Sequence, residues 1–469
     1  MFRIFRHYIP KALLFLGVSE FAILMASVYL GITLRFLTWD STDVVYAIPF
    51  YDLMLPISVI FAMVMVIVMM AMGLYQRDLR EGPLAILVRL GLSFLAGLML
   101  MALIFYALPE LVVGRGILGI ALLCSFLGIV SCRFLYFQRT DEGLRSRALV
   151  LGVGEKAQMI ARLRRRTDFR GMSIVGYVDI GNGQKVVNRS KFVQLGGMSL
   201  RQYVDAHEID EIIVGLDERR NTVPINEILE CKMKGVHVID VQTFYERQLG
   251  KILLDSLHPS NLVFADGFTQ AVLKPTSKRL FDILVSGALL ILSLPIMVFV
   301  SVAINIESGG RGSIIYRQER VGKDGRVFEI LKFRSMREDA EKDGIARWAK
   351  SNDTRVTKVG AFIRKTRLDE LPQLINVLKG DMSIIGPRPE RPQFVKELSA
   401  DIPYYALRHY VKPGLTGWAQ ICYPYGASTK DAKEKLQYDL YYMKNYSLFL
   451  DLTILLETVQ VIIWGKGAR

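Results

Sequence analysis

The stretch LFDILVSGALLILSLPIMVFVSVAIN, residues 280–305, decides how the rest of the chain is interpreted. It exceeds the ~20 apolar residues that a helix needs to cross the hydrocarbon core of a bilayer. Pro295, however, lies at its centre, where proline removes a backbone hydrogen bond and kinks a helix. A full crossing would also place everything after residue 306 on the side of the membrane opposite to the preceding domain. We therefore predict a Pro-broken re-entrant helix, in preference to a plain kinked span or a buried helix of a soluble fold.

The first 140 residues contain four more apolar runs, each close to the length of a membrane-spanning helix. These runs cover residues 12–34, 50–74, 84–108 and 115–137. The first run is too long for a signal peptide and is followed by three others. We predict a four-helix transmembrane bundle over residues 1–140.

The distribution of charge predicts the orientation of this bundle, because cytoplasmic loops of membrane proteins are enriched in Lys and Arg. Basic residues flank both ends of the region and the loop between the second and third runs, whereas the loop after the first run is acidic. The basic set is Arg3, Arg6, Lys11, Arg77, Arg80, Arg133, Arg139, Arg145 and Arg147, and the acidic set is Asp40, Asp43 and Asp52. We expect a multi-pass membrane protein with both ends of the bundle, and the domains that follow, in the cytoplasm; the family resemblance described below implies that this membrane is the bacterial inner membrane.

Residues 145–270 alternate short apolar strands with helical stretches, which is typical of a Rossmann-like α/β domain with a parallel sheet. Gly152-x-Gly154-x-x-Ala157 follows a strand and opens a helix, as a dinucleotide-binding turn does, and Asp179 ends the next strand. The third position is alanine, and the sequence contains no Tyr-x-x-x-Lys. The pattern favours a structural or regulatory domain over a nucleotide or nucleotide-sugar site, and least of all indicates a redox cofactor.

The composition supports membrane and phosphate partners. Hydrophobic residues make up 51% of the 469-residue chain, and the formal net charge is +14. For a chain this apolar, the charge suits acidic headgroups or phosphorylated ligands, and we expect no nucleic-acid partner. The four cysteines show no CxxC spacing, so neither a zinc site nor a disulfide framework is indicated.

Two adjacent carboxylates, Asp369 and Glu370, lie in the stretch KTRLDELPQL, residues 365–374. One interpretation is structural: Asp369 would cap a helix that Glu370 and Leu371 begin, and such a cap contributes about 1 kcal/mol. The other is functional, because two ionised carboxylates can hold Mg²⁺ and one can attack phosphorus. The neighbouring Arg364, Lys365 and Arg367 favour the ionised forms.

Further basic residues have spacing that suits an anionic ligand. In EILKFRSM, residues 329–336, a strand would place Lys332 and Arg334 on one face, as a diphosphate requires. Arg388 lies between Pro387 and Pro389, which stiffen the turn that carries it. Without a role in ligand binding, Lys332 and Arg334 would belong to a basic surface that faces the membrane, and Arg388 would lie in an exposed proline-rich loop.

Taken in order, the motifs of residues 274–469 resemble the bacterial polyprenyl-phosphate sugar-1-phosphate transferases, which are phosphoglycosyl transferases. The matching segments are KRLFD, the Pro-containing apolar run, LKFRSM, RKTRLDELPQLINVLKGDMSIIGPRP, KPGLTGWAQ and YDLYYMKN. The four spans and the glycine-turn domain are similar to the long form of this family. Residues 243–268 look like the exopolysaccharide branch that is linked to exosortase systems.

The resemblance implies that a hexose-1-phosphate moves from a UDP-sugar to undecaprenyl phosphate with release of UMP, the first membrane step of exopolysaccharide assembly. It implies that Asp369 forms a covalent phosphosugar intermediate and that Glu370 assists with Mg²⁺ and the acceptor phosphate. The resemblance also assigns the basic residues and the helix break. The donor-phosphate candidates are Lys332, Arg334, Arg364, Arg367 and Arg388, and the lipid-phosphate candidates are Lys278 and Arg279. The helix break is Pro295. The family has Ser-Pro at this break, whereas this sequence has Leu294-Pro295. Long-form relatives suggest a homodimer.

Three other functions compete with this one. The first is a membrane-bound oxidoreductase that modifies nucleotide sugars on the glycine-turn domain, and the second is a non-enzymatic membrane sensor or regulator. The third is a glycosyltransferase, but the sequence contains no Asp-x-Asp.

Overall fold

The structure is a computed structural model. It describes residues 2–4, 7–9, 11–36, 44–75, 83–140, 146–163, 169, 172–180, 186–217, 224–255, 257, 268, 273–337, 355–424, 426 and 428–464.

Four long apolar helices form most of the N-terminal region, after two short paired strands, β1 (Phe2–Ile4) and β2 (His7–Ile9). The helices are α1 (Lys11–Phe36), α2 (Val44–Ala71), α3 (Pro83–Ala107) and α4 (Arg115–Thr140). Each is long and apolar enough to cross a membrane, which confirms the four predicted apolar helices. Part of the orientation prediction lies outside the described residues: Arg6, Asp40, Asp43, Arg77, Arg80 and Arg145.

A buried ion pair joins α1 to α4. Arg133 Nε lies 2.6 Å from Glu20 Oε1, and Arg133 Nη2 donates to Glu20 Oε2 at 3.0 Å. The Tyr75 hydroxyl donates to the same carboxylate. Because a charge buried among apolar helices is costly without a partner, this two-point pairing fixes the relative position of the two helices.

A five-stranded parallel sheet follows, in the strand order β5-β4-β3-β6-β7. Its strands are β3 (Ser146–Leu151), β4 (Met172–Val178), β5 (Phe192–Val193), β6 (Glu211–Val214) and β7 (His237–Asp240). The associated helices are α5 (Glu155–Arg162), α6 (Leu200–Ala206), α7 (Ile225–Met233) and α8 (Val241–Leu249). The order reverses direction at β3, as in doubly wound folds, and the parallel α/β arrangement predicted from the sequence is confirmed.

The glycine turn of this domain holds one of the protein's own carboxylates. Gly152 has a φ of +120°, which favours glycine, and a Cβ on Gly154 would lie 1.9 Å from Asp217 Oδ2. Asp217 accepts hydrogen bonds from the backbone N–H groups of Glu155 and Lys156 at 2.8 and 2.9 Å. In dinucleotide-binding domains these first N–H groups of the helix face the pyrophosphate. Here Asp217 uses them instead.

The chain divides into two compact units, with the main boundary between Leu249 and Gly250. The second unit begins with α9 (Leu273–Glu307) and the hairpin of β8 (Ile315–Val321) and β9 (Val327–Phe333). It continues with α10 (Lys358–Lys365), α11 (Gln373–Lys379), β10 (Ser383–Ile385), α12 (Pro392–Asp401), β11 (Gly414–Thr416), α13 (Trp418–Cys422), α14 (Thr429–Lys444) and α15 (Leu448–Trp464). β10 and β11 pair in parallel. The division into three domains at residues 140–145 and 270–274, with an α/β catalytic domain over residues 274–469 that contains the re-entrant helix, stays a prediction.

Both ends of α9 pack against the rest of the second unit, whereas most of residues 291–299 are exposed. Near its start, Asp282 Oδ1 accepts hydrogen bonds from Ser383 Oγ at 2.9 Å and from the Ile384 N–H at 3.0 Å. Near its end, Val300 and Ile304 are buried against Phe333 and Ile363. Between these ends, Ile291 and Leu292 are each 75% exposed and Phe299 is 73% exposed.

Pro295 lies inside α9, and the helix continues through it rather than ending there. Because proline has no N–H, one backbone hydrogen bond of the helix is missing at this point. The Glu307 carboxylate, at the far end of the helix, accepts from the Lys358 N–H at 2.8 Å and from the Val359 N–H at 3.2 Å. The C-terminal end of α9 therefore supplies the acceptor for the first N–H groups of α10.

Candidate active site

The two adjacent carboxylates lie in a single turn of 3-10 helix, Leu368–Glu370, between α10 and α11. Arg367 enters the turn with a φ of +58°, a left-handed conformation that is unfavourable for a residue with a side chain. α11 then begins at Gln373, and no side chain caps its N-terminus. The prediction that Asp369 caps this helix is therefore wrong, because the 3-10 turn holds the dyad apart from the first N–H groups of α11.

Glu370 is the point where three basic side chains meet. Its Oε1 lies 2.7 Å from Arg388 Nη2 and 3.4 Å from Lys332 Nζ, and its Oε2 lies 4.0 Å from Arg367 Nη1. Burial alone would raise the pKa of Glu370, but Arg388 and Lys332 outweigh burial and hold that pKa well below its usual range. Glu370 is thus ionised near neutral pH and holds the cations around it.

Asp369, in contrast, accepts no hydrogen bond from any side chain or N–H that the structure describes, although it is half-buried. Burial and the adjacent Glu370 charge raise its pKa to about 6, against the opposing effect of Lys332, Arg388 and Arg364. The two carboxylates therefore differ in character. Asp369 is a carboxylate of raised basicity whose oxygens are available to another molecule.

The backbone of the Pro-Arg-Pro turn is held at consecutive residues. The carbonyl of Pro387 accepts from the Gly414 N–H at 2.9 Å, and that of Arg388 accepts from Arg408 Nη2 at 3.0 Å. The carbonyl of Pro389 accepts from Arg320 Nη1 at 3.0 Å. Because three successive carbonyls are fixed, the position from which the Arg388 side chain reaches Glu370 is fixed as well.

Arg408 belongs to a buried cluster that the sequence reasoning missed. Its Nη2 lies 2.9 Å from Asp439 Oδ2, and its Nη1 donates to the Tyr405 hydroxyl at 2.6 Å. All three residues are buried. Neither Asp439, which lies in the matching segment YDLYYMKN, nor Arg408 is among the site residues predicted from the sequence. The available signal was an acidic residue inside the apolar helix YDLYYMKN, which needs a cationic partner once it is buried.

The other predicted donor-phosphate residues divide into two groups. Lys332 contacts Glu370, and Arg364 is close enough to Asp369 to lower its pKa. Arg334, just beyond the end of β9, instead donates from Nη2 to the Arg311 carbonyl at 2.9 Å. The residues that lie near the dyad are therefore Lys332, Arg364, Arg367 and Arg388. The Arg334 Nη2 group donates to the Arg311 carbonyl instead of contacting the dyad.

Lys278 and Arg279, the predicted lipid-phosphate residues, both have partners inside the second unit. Lys278 Nζ lies 2.8 Å from Asp451 Oδ2, which is buried on α15. Arg279 donates from Nη1 to the Val377 carbonyl at 2.6 Å and from Nη2 to the Leu378 carbonyl at 2.5 Å, at the C-terminal end of α11. Their role toward a lipid phosphate stays a prediction.

The acidic residues fit a hydrated Mg²⁺ but not an enclosed metal site. Within the described part of the chain, no group of three or more His, Cys, Asp or Glu residues could hold a metal ion. Mg²⁺ commonly takes only one or two carboxylates, together with waters and substrate phosphates. The Asp369 carboxylate, with Glu370 beside it, meets that smaller requirement.

Comparison with known proteins gives this arrangement a context. The family described as "Bacterial sugar transferase" matches residues 273–465, which include α9 and the dyad. A Bacillus subtilis protein named for sugar 1-phosphate transfer to undecaprenyl phosphate is 53% identical over 131 residues, which cover 28% of this chain and 72% of that protein. The chain belongs to the bacterial sugar transferase family.

Longer relatives of this bacterial sugar transferase carry related names. The UDP-glucose:undecaprenyl-phosphate glucose-1-phosphate transferase of Xanthomonas campestris pv. campestris is 29% identical over 489 aligned residues, covering 99% of this chain and 96% of that protein. The UDP-N-acetylgalactosamine-undecaprenyl-phosphate N-acetylgalactosaminephosphotransferase of Aeromonas hydrophila is 42% identical over 242 residues. That match covers 52% of this chain and 56% of the Aeromonas protein, so the chain spans about half the length of that relative.

Proposed function

We propose that this bacterial sugar transferase moves a hexose-1-phosphate from a UDP-sugar to undecaprenyl phosphate, giving undecaprenyl-diphosphate-sugar and UMP. The observation that carries the proposal is the contrast within the dyad. Asp369 accepts no hydrogen bond from the described residues and has a raised pKa, while Glu370 beside it gathers Arg388 and Lys332. A free nucleophile next to fixed cations is what phosphoryl transfer requires.

In the first step, an Asp369 carboxylate oxygen attacks the β-phosphorus of the UDP-sugar. A bond from that oxygen to phosphorus forms, and the bond from phosphorus to the bridging oxygen of the diphosphate breaks. UMP leaves with the electron pair, and the sugar phosphate stays on Asp369 as an acyl phosphodiester. The raised pKa makes the carboxylate a better nucleophile than an ordinary surface aspartate, while most of it stays ionised near pH 7.

The cations neutralise the charge that develops on the diphosphate. Arg388 is held by its turn and by Glu370, and Lys332 is held by the same carboxylate, so both are in place before substrate binds. Such preorganised charge stabilises the transition state without a reorganisation cost. Glu370 acts as the residue that positions them and carries no proton.

In the second step, a phosphate oxygen of undecaprenyl phosphate attacks the same phosphorus. The new diphosphate bond forms, the bond to Asp369 breaks, and the carboxylate is regenerated. Mg²⁺ held by Asp369 and Glu370 would supply further charge neutralisation for the substrate phosphates.

We propose that α9 bends at Pro295, enters one leaflet and returns, so that the site lies on the cytoplasmic surface of the inner membrane. Support comes from its contacts: the start of α9 bonds to Val377, Leu378 and Ser383, and its end contacts Lys358 and Ile363. A full crossing would place these two groups of partners on opposite faces of the membrane. Residues 364–373, which connect these two groups of partners, would then have to traverse the hydrocarbon core. Five of these ten residues are charged, which makes such a crossing costly.

The middle domain is assigned no chemistry in this proposal. Asp217 uses the N–H groups of α5 that a dinucleotide would need, which disfavours the competing oxidoreductase function. Nicotinamide absorbance in the purified protein would restore that function. The homodimer and the exopolysaccharide branch stay predictions, and the transferred hexose is left unspecified because the relatives differ in their sugars.

Asp369→Asn should abolish UMP release from a UDP-hexose in the presence of undecaprenyl phosphate and Mg²⁺. The expected loss is roughly 10³-fold or more, because the amide cannot attack phosphorus. Asp401→Asn, an exposed residue at the end of α12, serves as the matched control and should keep full activity. Retention of wild-type activity by a folded Asp369→Asn variant would exclude Asp369 as the nucleophile.

The rate of the first step should fall as the pH drops through about 6, the pKa of Asp369. Only the ionised carboxylate attacks, so below that pH the rate should decrease about tenfold for each pH unit. The measurement is single-turnover UMP release without the acceptor, because undecaprenyl phosphate itself titrates in this range. A rate that is constant between pH 5 and 7 would contradict the assignment.

A cysteine introduced at Ser313, after replacement of the four native cysteines, should be shielded from a membrane-impermeant thiol reagent in intact cells. Ser313 is exposed and follows α9, so it reports the side on which that helix ends. The control is a cysteine at Glu110, in the loop between α3 and α4, which should be labelled from outside. Labelling of both positions would mean that α9 crosses the membrane.

A further inference from the structure

Asn376, on α11, is 1% exposed and bonds the backbone of β9 at two points. Its Oδ1 accepts from the Leu331 N–H at 3.0 Å, and its Nδ2 donates to the Glu329 carbonyl at 2.8 Å. A carboxamide carries the same donor and acceptor as a peptide group. The Asn376 side chain therefore meets β9 as the backbone of a neighbouring strand would.

Asn376 bonds the edge of β9 that β8 leaves open. Within the described part of the chain, β9 pairs with β8 alone, in a two-stranded antiparallel sheet. The N–H and C=O groups at the other edge need other partners, because a backbone group that loses water without gaining a hydrogen bond is costly. Asn376 supplies the partner for one group of each kind and thereby fixes where β9 lies relative to α11.

Lys332 directly follows the residue whose N–H Asn376 holds. Lys332 Nζ lies 3.4 Å from Glu370 Oε1, and the Lys332 side chain is largely buried. Burial lowers the pKa of Lys332, whereas the charge of Glu370 raises it. Because this attraction weakens with distance, the position of β9 decides how firmly the ammonium group is held beside the carboxylate.

The end of this link on α11 is fixed as well. The Asn376 carbonyl accepts from the N–H groups of residues 380–382 at 3.0, 3.1 and 3.3 Å, where α11 ends. Glu370 lies in the turn that leads into the start of α11. Asn376 thus connects the strand that carries Lys332 to the helix that follows Glu370.

The two bonds require an amide rather than a carboxylate at this position. An aspartate would keep an acceptor for the Leu331 N–H but would place its second oxygen against the Glu329 carbonyl oxygen. Asp381 Oδ2, which lies 3.4 Å from Asn376 Nδ2, would add a like charge. An alanine would remove both bonds. The two substitutions therefore break the link in different ways, and the aspartate does so at nearly constant side-chain volume.

We propose that Asn376 is a positioning residue for phosphosugar transfer, which holds β9 where the Lys332 ammonium group lies beside Glu370 and faces the donor diphosphate. Asn376 itself touches no substrate. The placement of Lys332 rests on the contacts of Asn376, and its effect on transfer rests on the proposed function.

The placement is tested without substrate, by zero-length cross-linking of the full-length chain with a water-soluble carbodiimide and peptide mass spectrometry. The wild type should give an amide between Lys332 and Glu370, because the two groups are in contact. Asn376→Ala and Asn376→Asp should lower its yield roughly fivefold or more, since both release the strand. The matched control is Asn445→Ala: this asparagine is also fully buried, but its side chain donates to the Tyr441 carbonyl within α14.

Thermal unfolding of each variant identifies the folded ones. A cross-link yield in a folded Asn376 variant equal to that of the wild type would overturn the proposal. Absence of the link from the wild type, or an equal loss of yield in Asn445→Ala, would overturn it as well.

The effect on transfer is measured as UMP release in a double-mutant cycle of Asn376→Ala with Lys332→Gln. If Asn376 acts through Lys332, its loss should lower the rate about tenfold in the wild-type background and less than about twofold once Lys332 is replaced. Asn445→Ala should change the rate by the same factor in both backgrounds.

Equal losses from Asn376→Ala in the two backgrounds would make Asn376 a merely structural residue and would overturn its role in transfer. Absence of UMP release from the wild type would instead contradict the proposed function. The cross-linking result does not depend on that reaction, so the two failures are distinguishable.

Discussion

The ionised carboxylate of Glu370 is the constraint on which the candidate active site depends. It lies within 2.7 Å of Arg388 and 3.4 Å of Lys332, and these two cations arrive from different parts of the second unit. Without a negative charge at this position, two half-buried cations would repel each other across the site. Glu370 therefore holds two like charges together at the candidate site. Asp369, one residue earlier, forms no ion pair of this kind among the described residues, which is why we propose it as the nucleophile.

The residues around Glu370 and Arg388 are held in place mainly by hydrogen bonds to backbone groups. The Pro387, Arg388 and Pro389 carbonyls are each fixed by a separate donor, and the buried Arg408–Asp439 pair supplies one of them. The start of α9 is tied to the end of α11, and its far end supplies the acceptor for α10. The dyad lies in the turn between these two helices. Contacts at both ends of α9 thus hold the two helices between which the dyad lies.

Much of this could be predicted from the sequence, because apolar length and strand-helix alternation are strong signals. They identified the four N-terminal helices and the parallel sheet. Local rules failed at Asp369, where a capping pattern was present but Arg367 adopts a left-handed conformation and a 3-10 turn intervenes. The use of the glycine turn by Asp217 and the support of Arg388 by Arg408 depend on contacts between residues distant in the sequence. No local pattern contains such information.

The central claim is that Asp369 carries the sugar phosphate between the two substrates. The most direct measurement is mass spectrometry of the protein after brief incubation with a UDP-hexose and Mg²⁺, without undecaprenyl phosphate, followed by acid quenching and proteolysis. The account predicts that the peptide containing Asp369 gains the mass of one hexose phosphate, that fragmentation places it on Asp369, and that added undecaprenyl phosphate removes it. UMP release without any adduct, or an adduct on another residue, would contradict the account.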